Sequence, residues 1–365
     1  GDRSRMSSSK KIRVAIVCGG RSSEHEISCI SANGVLSALD QEKFEAILIG
    51  ITEATGDWVL LDKTAPFSKK SNGLPEVPTS APKLIADIHG IKNADGADLE
   101  IDAFFPLLHG AYGEDGTIQG LFEMMAMPYV GSGVLASTVA MDKSFAKPIY
   151  ASFGLAIAEG FVLQKRDWES NKSSQTEKIS KMGFPIFIKP ARSGSSRGTS
   201  KVKSTPEIES AVNAALALDP KVMIEKAVIG RELECAVLEI GGEVRTSVVG
   251  EVKVLGDHEF YDFEAKYLDS STEFDIPAKI SVEKTNEIQN AARKAFQALG
   301  CEGLARVDFF LTPEGTVIIN ELNTLPGFTA TSVFPKLWQA TGRNYSSIIT
   351  TLIDSALSRS QNVVR

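Results

Sequence analysis

The chain has 365 residues, 43% of them hydrophobic and 23% charged, with a formal net charge of −7. That length predicts two or three domains, and that composition excludes a disordered chain. An acidic balance without a basic run argues against nonspecific nucleic-acid binding, and no apolar run reaches the roughly 18 residues of a membrane span.

Residues 1–5 stand before Met6 and read as an expression remnant, so the first domain is counted from residue 6. The short apolar run at 12–18 stops at Gly19-Gly20, which predicts a strand over 13–18 rather than a signal-peptide core. Ser23 and Glu26 have capping-box spacing, and Ile27, Ile30, Val35 and Leu39 follow at roughly helical intervals, so a helix is expected to about Leu39. Phe44–Ile51 reads as a second strand, and 103–108 as a third that ends at His109-Gly110. Between them Pro75, Pro78 and Pro82 mark 68–83 as a loop or edge excursion. Such alternation predicts a parallel α/β sheet whose sites gather at the carboxyl ends of its strands.

After Gly131-Ser132-Gly133 a helix carries Met141-Asp142-Lys143, and 168–178 reads as polar surface. A strand at 184–189 leads into the Gly/Ser loop 193–198, followed by a helix at 207–217 and a strand at 222–226. The last third is mainly strands (233–239, 244–254, 303–311, 316–323) around a long loop, 255–275, and a helix at 282–299. That helix is expected to bury Ile288, Ala292, Ala295, Phe296 and Leu299 and to stop at Gly300. The four cysteines form no CxxC pair, which predicts buried, reduced thiols and a cytoplasmic location; the four histidines lack zinc-ligand spacing.

The hairpin near the end carries the densest chemistry. Alternation places Leu304, Arg306, Asp308 and Phe310 on one face of its first strand, and Val317, Ile319, Glu321 and Asn323 on one face of its second. A four-residue turn at 312–315 pairs 311 with 316, hence 308 with 319 and 306 with 321. Asp308, Glu321 and Asn323 then share a face beside Arg306, with cross-strand neighbours about 5 Å apart. Close carboxylates repel unless a cation lies between them, and these hard oxygens suit Mg²⁺; a solvated face or an Asp308–Arg306 ion pair is the plainer alternative. Lys189-Pro190 before the Gly/Ser loop suits a phosphate, because small residues admit backbone N–H groups and the lysine adds charge. Residues 19–26 offer a helix N-terminus to an anion, or Glu24 to an ammonium, and lack the GxGxxG spacing of a dinucleotide site. The segment 261–267 reads as part of a lid or as ordinary surface.

Eight ordered segments resemble the D-alanine–D-alanine ligases of the ATP-grasp superfamily: GGRSSEHEIS (19–28), LLHGAYGEDGTIQG (107–120), PYVGSGVLAS (128–137), MDK (141–143), IKPARSGSSRG (188–198), EAKY (264–267), ARVDFF (305–310) and NELNTLPGFT (320–329). The resemblance implies an α/β chain, α+β in its C-terminal part, with an ATP-grasp fold. It implies a Rossmann-like domain at 6–131, a central subdomain at 132–224, and a C-terminal subdomain at 225–365 with the lid loop 255–275. It implies Lys143 and Lys189 as phosphate ligands, with Ser195, Ser196 and Lys226 also in the ATP site. Glu225 would contact adenine and Glu232 the ribose. Asp308, Glu321 and Asn323 match ligands of two Mg²⁺ (or Mn²⁺) ions. Glu24 matches the carboxylate on the first D-alanine's ammonium, with Ser195 and Tyr267 as its hydrogen-bonded partners and His109 in the same site. Lys266 resembles the lid residue reaching the γ-phosphate, and Arg306 the group that steadies the transferred phosphoryl. Gly327 supplies an N–H, and Ser332 contacts the second D-alanine's carboxylate.

The implied reaction consumes ATP and two D-alanines, passes through D-alanyl phosphate, and releases ADP and phosphate for peptidoglycan precursor synthesis. Relatives that use lactate lack the pair Lys266-Tyr267, so its presence implies D-alanine as the second substrate; joining D-alanine to another acceptor such as D-lactate is the alternative. The resemblance also implies a homodimer; the charge and the lack of a long apolar run already predict no nucleic-acid or membrane partner.

Overall fold

The computed structural model describes residues 10–194, 197–254, 272–360 and 364–365. Ser195, Ser196, Lys266 and Tyr267 lie outside the described residues.

The first sheet runs in the order Trp58–Leu60, Phe44–Ile51, Ile12–Gly19, Ala103–Pro106, with the last three strands parallel. Ile12–Gly19 is central, so side chains on both its faces are buried and its sequence is an unbroken apolar run. Val14, Ile16 and Cys18 pack with Cys29, Ala32 and Val35 of the helix His25–Ala38. Ala15 and Val17 pack on the other face with Ile118 and Phe122 of the helix Thr117–Met124. The strand ends where only glycine fits: Gly19 has φ +88°, and a Cβ there would lie 2.5 Å from the Ile51 carbonyl oxygen.

The expected capping box does not form. The helix starts at His25 with Glu24 at its N-cap and no side-chain cap. Ser22 lies nearer the turn, donating to the His109 carbonyl (2.6 Å) and accepting from the Glu24 N–H (3.2 Å), while the Glu26 carboxylate is drawn away to Lys70. The excursion at 68–83 contains a two-residue ladder, Ser68–Lys69 with Pro75–Glu76, and ends against a second hairpin, Leu84–Asp87 with Gly90–Asn93. It docks through Val77, whose N–H donates to His25 Nε2 at 3.1 Å.

The second sheet is antiparallel, in the order Ser200–Val202, Ile186–Pro190, Lys221–Lys226, Gly160–Gln164. One expectation fails before it, and one holds only in part beside it. The helix through Met141-Asp142-Lys143 is two helices, Val134–Met141 and Lys143–Ser152, because Asp142 is extended and caps the second by accepting from the Ser144 N–H at 3.0 Å. The stretch 168–178 is polar surface from residue 169 onward, carried by the helices Lys165–Ser170 and Lys172–Ser180, but its first residue, Trp168, is fully buried against Ile188, Val212 and Ile224.

The third sheet is antiparallel, in the order Thr272–Asp275, Glu243–Val254, Arg231–Ile240, Leu304–Leu311, Val317–Asn323. The last four residues of the expected loop 255–275 are thus an edge strand, while 255–271 lie outside the described residues. The helix Val282–Ala298 buries Ile288, Ala292, Ala295 and Phe296 against one face, as the spacing predicts. The other face meets the helices Val333–Ala340 and Tyr345–Ser358 in a core continuous with that of the first sheet.

Phe328 is a centre of that shared core. It is fully buried, with ring centroids 5.7, 5.8 and 5.5 Å from Phe105, Phe334 and Tyr345. Phe328→Ala is expected to lower the unfolding free energy by about 3–5 kcal/mol, read from urea denaturation midpoints.

Candidate active site

The hairpin register differs from expectation in two places. The connection holds five residues, closed by Thr312 N–H to the Thr316 carbonyl (3.0 Å), so Leu311 faces Val317 rather than residue 316. A bulge between Asp308 and Phe309 then leaves Asn320 unpaired, and Asp308 faces Glu321 while Arg306 faces Asn323. Each slip alone would turn the second strand's side chains over; together they restore parity. The bulge also separates the two halves of that strand. Val317 and Ile319 pack into the core beneath the sheet, whereas Glu321 and Asn323 face the cleft with Asp308, so the expected common face of all four does not exist.

Arg306 holds Asp308 in a two-pronged ion pair: Nε and Nη2 donate to the two carboxylate oxygens at 2.9 Å each. Glu234, opposite Asp308 on the neighbouring strand, lies 3.5 Å from Arg306 Nε. Burial pushes the Asp308 carboxyl up to about 7; Arg306 opposes the rise, and the Glu234 and Glu321 charges add to it.

Two cavities adjoin at this hairpin. One, of about 330 Å³, lies between the second and third sheets, and Lys189, Glu225, Lys226, Glu232 and Asp308 line it. Apolar walls come from Phe187, Ile229, Leu233 and Phe310. Glu225 is buried at its inner end, paired with Lys147 and with Lys189 Nζ at 3.1 Å. Burial opposes its ionisation, but the Lys189 and Lys147 ammoniums prevail and hold it down at about 2.

The other cavity, about 310 Å³, lies between the first and third sheets. Its wall gathers Glu24, His109, Arg306, Asn323, Gly327 and Ser332. Glu24 is almost fully buried, and Gly110 (φ +79°) admits it: a Cβ there would stand 3.0 Å from Glu24 Oε2. His109 bridges two sheets. Its Nδ1 donates to the Leu325 carbonyl (3.1 Å), so the neutral ring accepts the Ser31 hydroxyl at Nε2 (3.2 Å); burial lowers its pKa. Ser332 Oγ accepts from the Thr329 N–H at 3.0 Å at the start of the helix Val333–Ala340.

Lys143, Ser193 and Glu321 line both cavities. Lys143 Nζ lies 3.7 Å from Glu321 and donates to the Ser193 carbonyl at 3.3 Å. Of the residues named from the resemblance, Lys189, Glu225, Lys226 and Glu232 line the first cavity and Glu24, His109, Gly327 and Ser332 the second; of the hairpin groups, Asp308 lines only the first, Arg306 and Asn323 only the second, and Glu321 both.

A divalent metal fits the hairpin. Among the described residues no group of three or more His, Cys, Asp or Glu side chains makes a metal cage. Asp308, Glu321 and Asn323 instead offer two carboxylates and an amide, the sparse oxygen set by which Mg²⁺ is held when phosphates complete its shell. Glu234 and Glu321 add their charges to the burial that raises the Asp308 pKa, and a cation held beside them would oppose that part of the rise. Asn323 Oδ1 already accepts the Leu325 N–H (3.1 Å), which leaves one lone pair for a ligand.

Two cleft residues, Glu114 and Glu234, and one behind the cleft wall, Lys147, were not singled out by the sequence. Glu114 sits in the second cavity and accepts from the Gly110 N–H; burial and then the Glu24 charge raise its pKa well above the carboxylate range. Its signal is its place five residues after His109, inside a segment already singled out. Glu234 shares a strand face with Glu232, and Lys147 follows Lys143 by one helical turn.

The model for the D-ala D-ala ligase N-terminus matches residues 13–132, and that for the D-ala D-ala ligase C-terminus matches residues 149–354. The D-alanine–D-alanine ligase of Mycobacterium avium (strain 104) is 46% identical, over 97% of this chain and 99% of that protein. That of Kineococcus radiotolerans is likewise 46% identical, over 97% and 99%. Among solved structures, the VanG D-Ala:D-Ser ligase of Enterococcus faecalis superimposes with a TM-score of 0.81 at 32% identity, covering 95% of this chain and all of that one. The D-alanine–D-alanine ligase of Coxiella burnetii gives 0.80 at 33% identity, covering 96% of each. The fold is that of an ATP-grasp ligase. The chain belongs to the D-alanine–D-alanine ligase family.

Proposed function

We propose that this protein joins two D-alanines at the expense of ATP, passing through D-alanyl phosphate and releasing ADP and phosphate, for peptidoglycan precursor synthesis. The observation that carries this reading is the shared wall of the two cavities, where Lys143 and Glu321 stand between the nucleotide set and the amino-acid set.

The residues take these parts. Glu24 holds the ammonium of the first D-alanine and so aims its carboxylate at the γ-phosphate. Lys143 and Lys189 neutralise the phosphates, and positioning with charge neutralisation is most of what phosphoryl transfer requires. The carboxylate oxygen bonds to the γ-phosphorus as the bond to ADP breaks. The second D-alanine, its carboxylate on Ser332, then attacks the acyl carbon through its amine, and phosphate leaves. Arg306 and the Gly327 N–H face the developing oxyanion; one such donor contributes roughly 3–4 kcal/mol. When bound, two Mg²⁺ (or Mn²⁺) ions held by Asp308, Glu321 and Asn323 supply further charge neutralisation along the phosphates. Ser195, Ser196, Lys266 and Tyr267 complete both sites in this reading, with 255–275 excluding water.

We assign the substrate domain to 6–131, the central subdomain to 132–224 and the C-terminal subdomain to 225–365, and expect a cytoplasmic homodimer. Among the described residues no helix is long and apolar enough to cross a membrane. The test is release of ADP and phosphate by the pure protein with ATP, Mg²⁺ and D-alanine, compared with D-alanine plus L-alanine, D-lactate or D-serine as acceptor. Turnover with D-alanine alone is expected. Turnover only with another acceptor, or none, overturns the reading.

A further inference from the structure

Lys147 is a buried ammonium with no part in the chemistry above. Its helix, Lys143–Ser152, presents Lys143 to the cleft and, one turn later, Lys147 to the back of the nucleotide cavity. Only 4% of its side chain is exposed, and its ammonium is paired with Glu225. Glu225 lines the cavity, and its other oxygen lies 3.1 Å from Lys189 Nζ. One buried carboxylate is thus shared by two ammoniums, of which one faces the cavity and the other stands behind the wall.

We propose that Lys147 is a positioning residue for nucleotide choice: it is the counter-ion that keeps Glu225 a carboxylate when Lys189 turns to the phosphates, so that the base pocket selects an amino-purine over an oxo-purine. This rests on the reading of Glu225 as the contact to the base. Without Lys147, an arriving nucleotide would draw Lys189 away and leave Glu225 a lone buried carboxyl. Such a group takes up a proton. A carboxylate accepts from the exocyclic amine of adenine and repels the carbonyl oxygen at the same place in hypoxanthine. A protonated carboxyl can donate to that carbonyl, so selection relaxes. Burial and the neighbouring Lys189 bring Lys147 itself down to about 8, with Glu225 opposing the fall, which marks how far its charge depends on this partner.

The test compares kcat/KM for ATP and ITP at saturating D-alanine in the wild type, K147M, K147R, E225Q and K147M/E225Q. K147M is expected to lower the ATP:ITP ratio about tenfold or more, the range of one hydrogen bond to a charged group, and to leave the KM for D-alanine in place. K147R should keep the wild-type ratio, and K147M should change it no further in the E225Q background. An unchanged ratio in K147M, an equal loss with both nucleotides, a K147R as relaxed as K147M, or a full K147M effect in E225Q each overturns the proposal. Should K147M not fold, K147Q carries the same comparison. Calorimetric binding of ATP and ITP without D-alanine reads the ratio independently of turnover, so failure of the ligase reading and failure of this one are told apart.

Discussion

Asp308→Asn should reduce D-alanine-dependent ATP turnover about a thousandfold and cost far less in stability, of the order of 1–3 kcal/mol. The asymmetry follows from what surrounds the carboxylate. Asp308 lines the cavity between the second and third sheets, opposite Glu321 on one strand and Glu234 on the other. Asparagine keeps the shape and one acceptor oxygen for Arg306, but turns an NH₂ toward the second guanidinium donor. Arg306 still has Glu234 at 3.5 Å, so no buried cation is stranded. The charge that would hold Mg²⁺ against a triphosphate is gone. Turnover, calorimetric Mg²⁺ binding with a non-hydrolysable ATP analogue, and a metal-free thermal melt separate the two effects. If the metal-free melt falls in proportion to activity, Asp308 is a structural partner of Arg306 and nothing more.

The same hairpin shows what was legible in the sequence and why the rest was not. Alternation along 304–311 was enough to put Arg306 and Asp308 on one face, because that strand is regular. The second strand was placed on the cleft side by a register that is wrong at the turn and wrong again at Asn320. The errors cancel in parity, and the acids arrive where expected for a reason the pattern did not contain. A bulge is a tertiary accommodation, with no period to reveal it. Trp168 was lost for a related reason: a single large apolar residue among polar neighbours has no periodicity, yet it fills the core of the second sheet. The three parallel strands of the first sheet were readable because the central one is apolar on both faces and ends in glycine, whereas the short antiparallel edge strand Trp58–Leu60 has no such pattern. Glu114 stood in a segment already recognised and Lys147 one helical turn beyond another, but their significance lies in burial, which depends on what other elements bring over them.

Glu24→Gln should raise the KM for the first D-alanine about a hundredfold and leave the KM for ATP within about twofold. Glutamine keeps the length of the side chain and its approach to Gly110, and it loses the charge that would meet an ammonium. The cavity proposed for the nucleotide does not include residue 24 among its walls, so ATP binding should be spared. Glu114 sets the size of the effect. Burial, and then repulsion from Glu24, raise its pKa well above the carboxylate range. With glutamine at 24 that repulsion is gone, Glu114 ionises more readily, and it supplies part of the missing negative charge to the same cavity. The double variant E24Q/E114Q should therefore lose more than the product of the single losses, because each single variant leaves one carboxylate able to serve. Initial rates over a D-alanine series, at saturating ATP and with the two D-alanine constants fitted separately, read this directly. A KM rise confined to the second D-alanine would place Glu24 at the wrong end of the cavity, and strictly multiplicative losses would show that Glu114 does not share its charge.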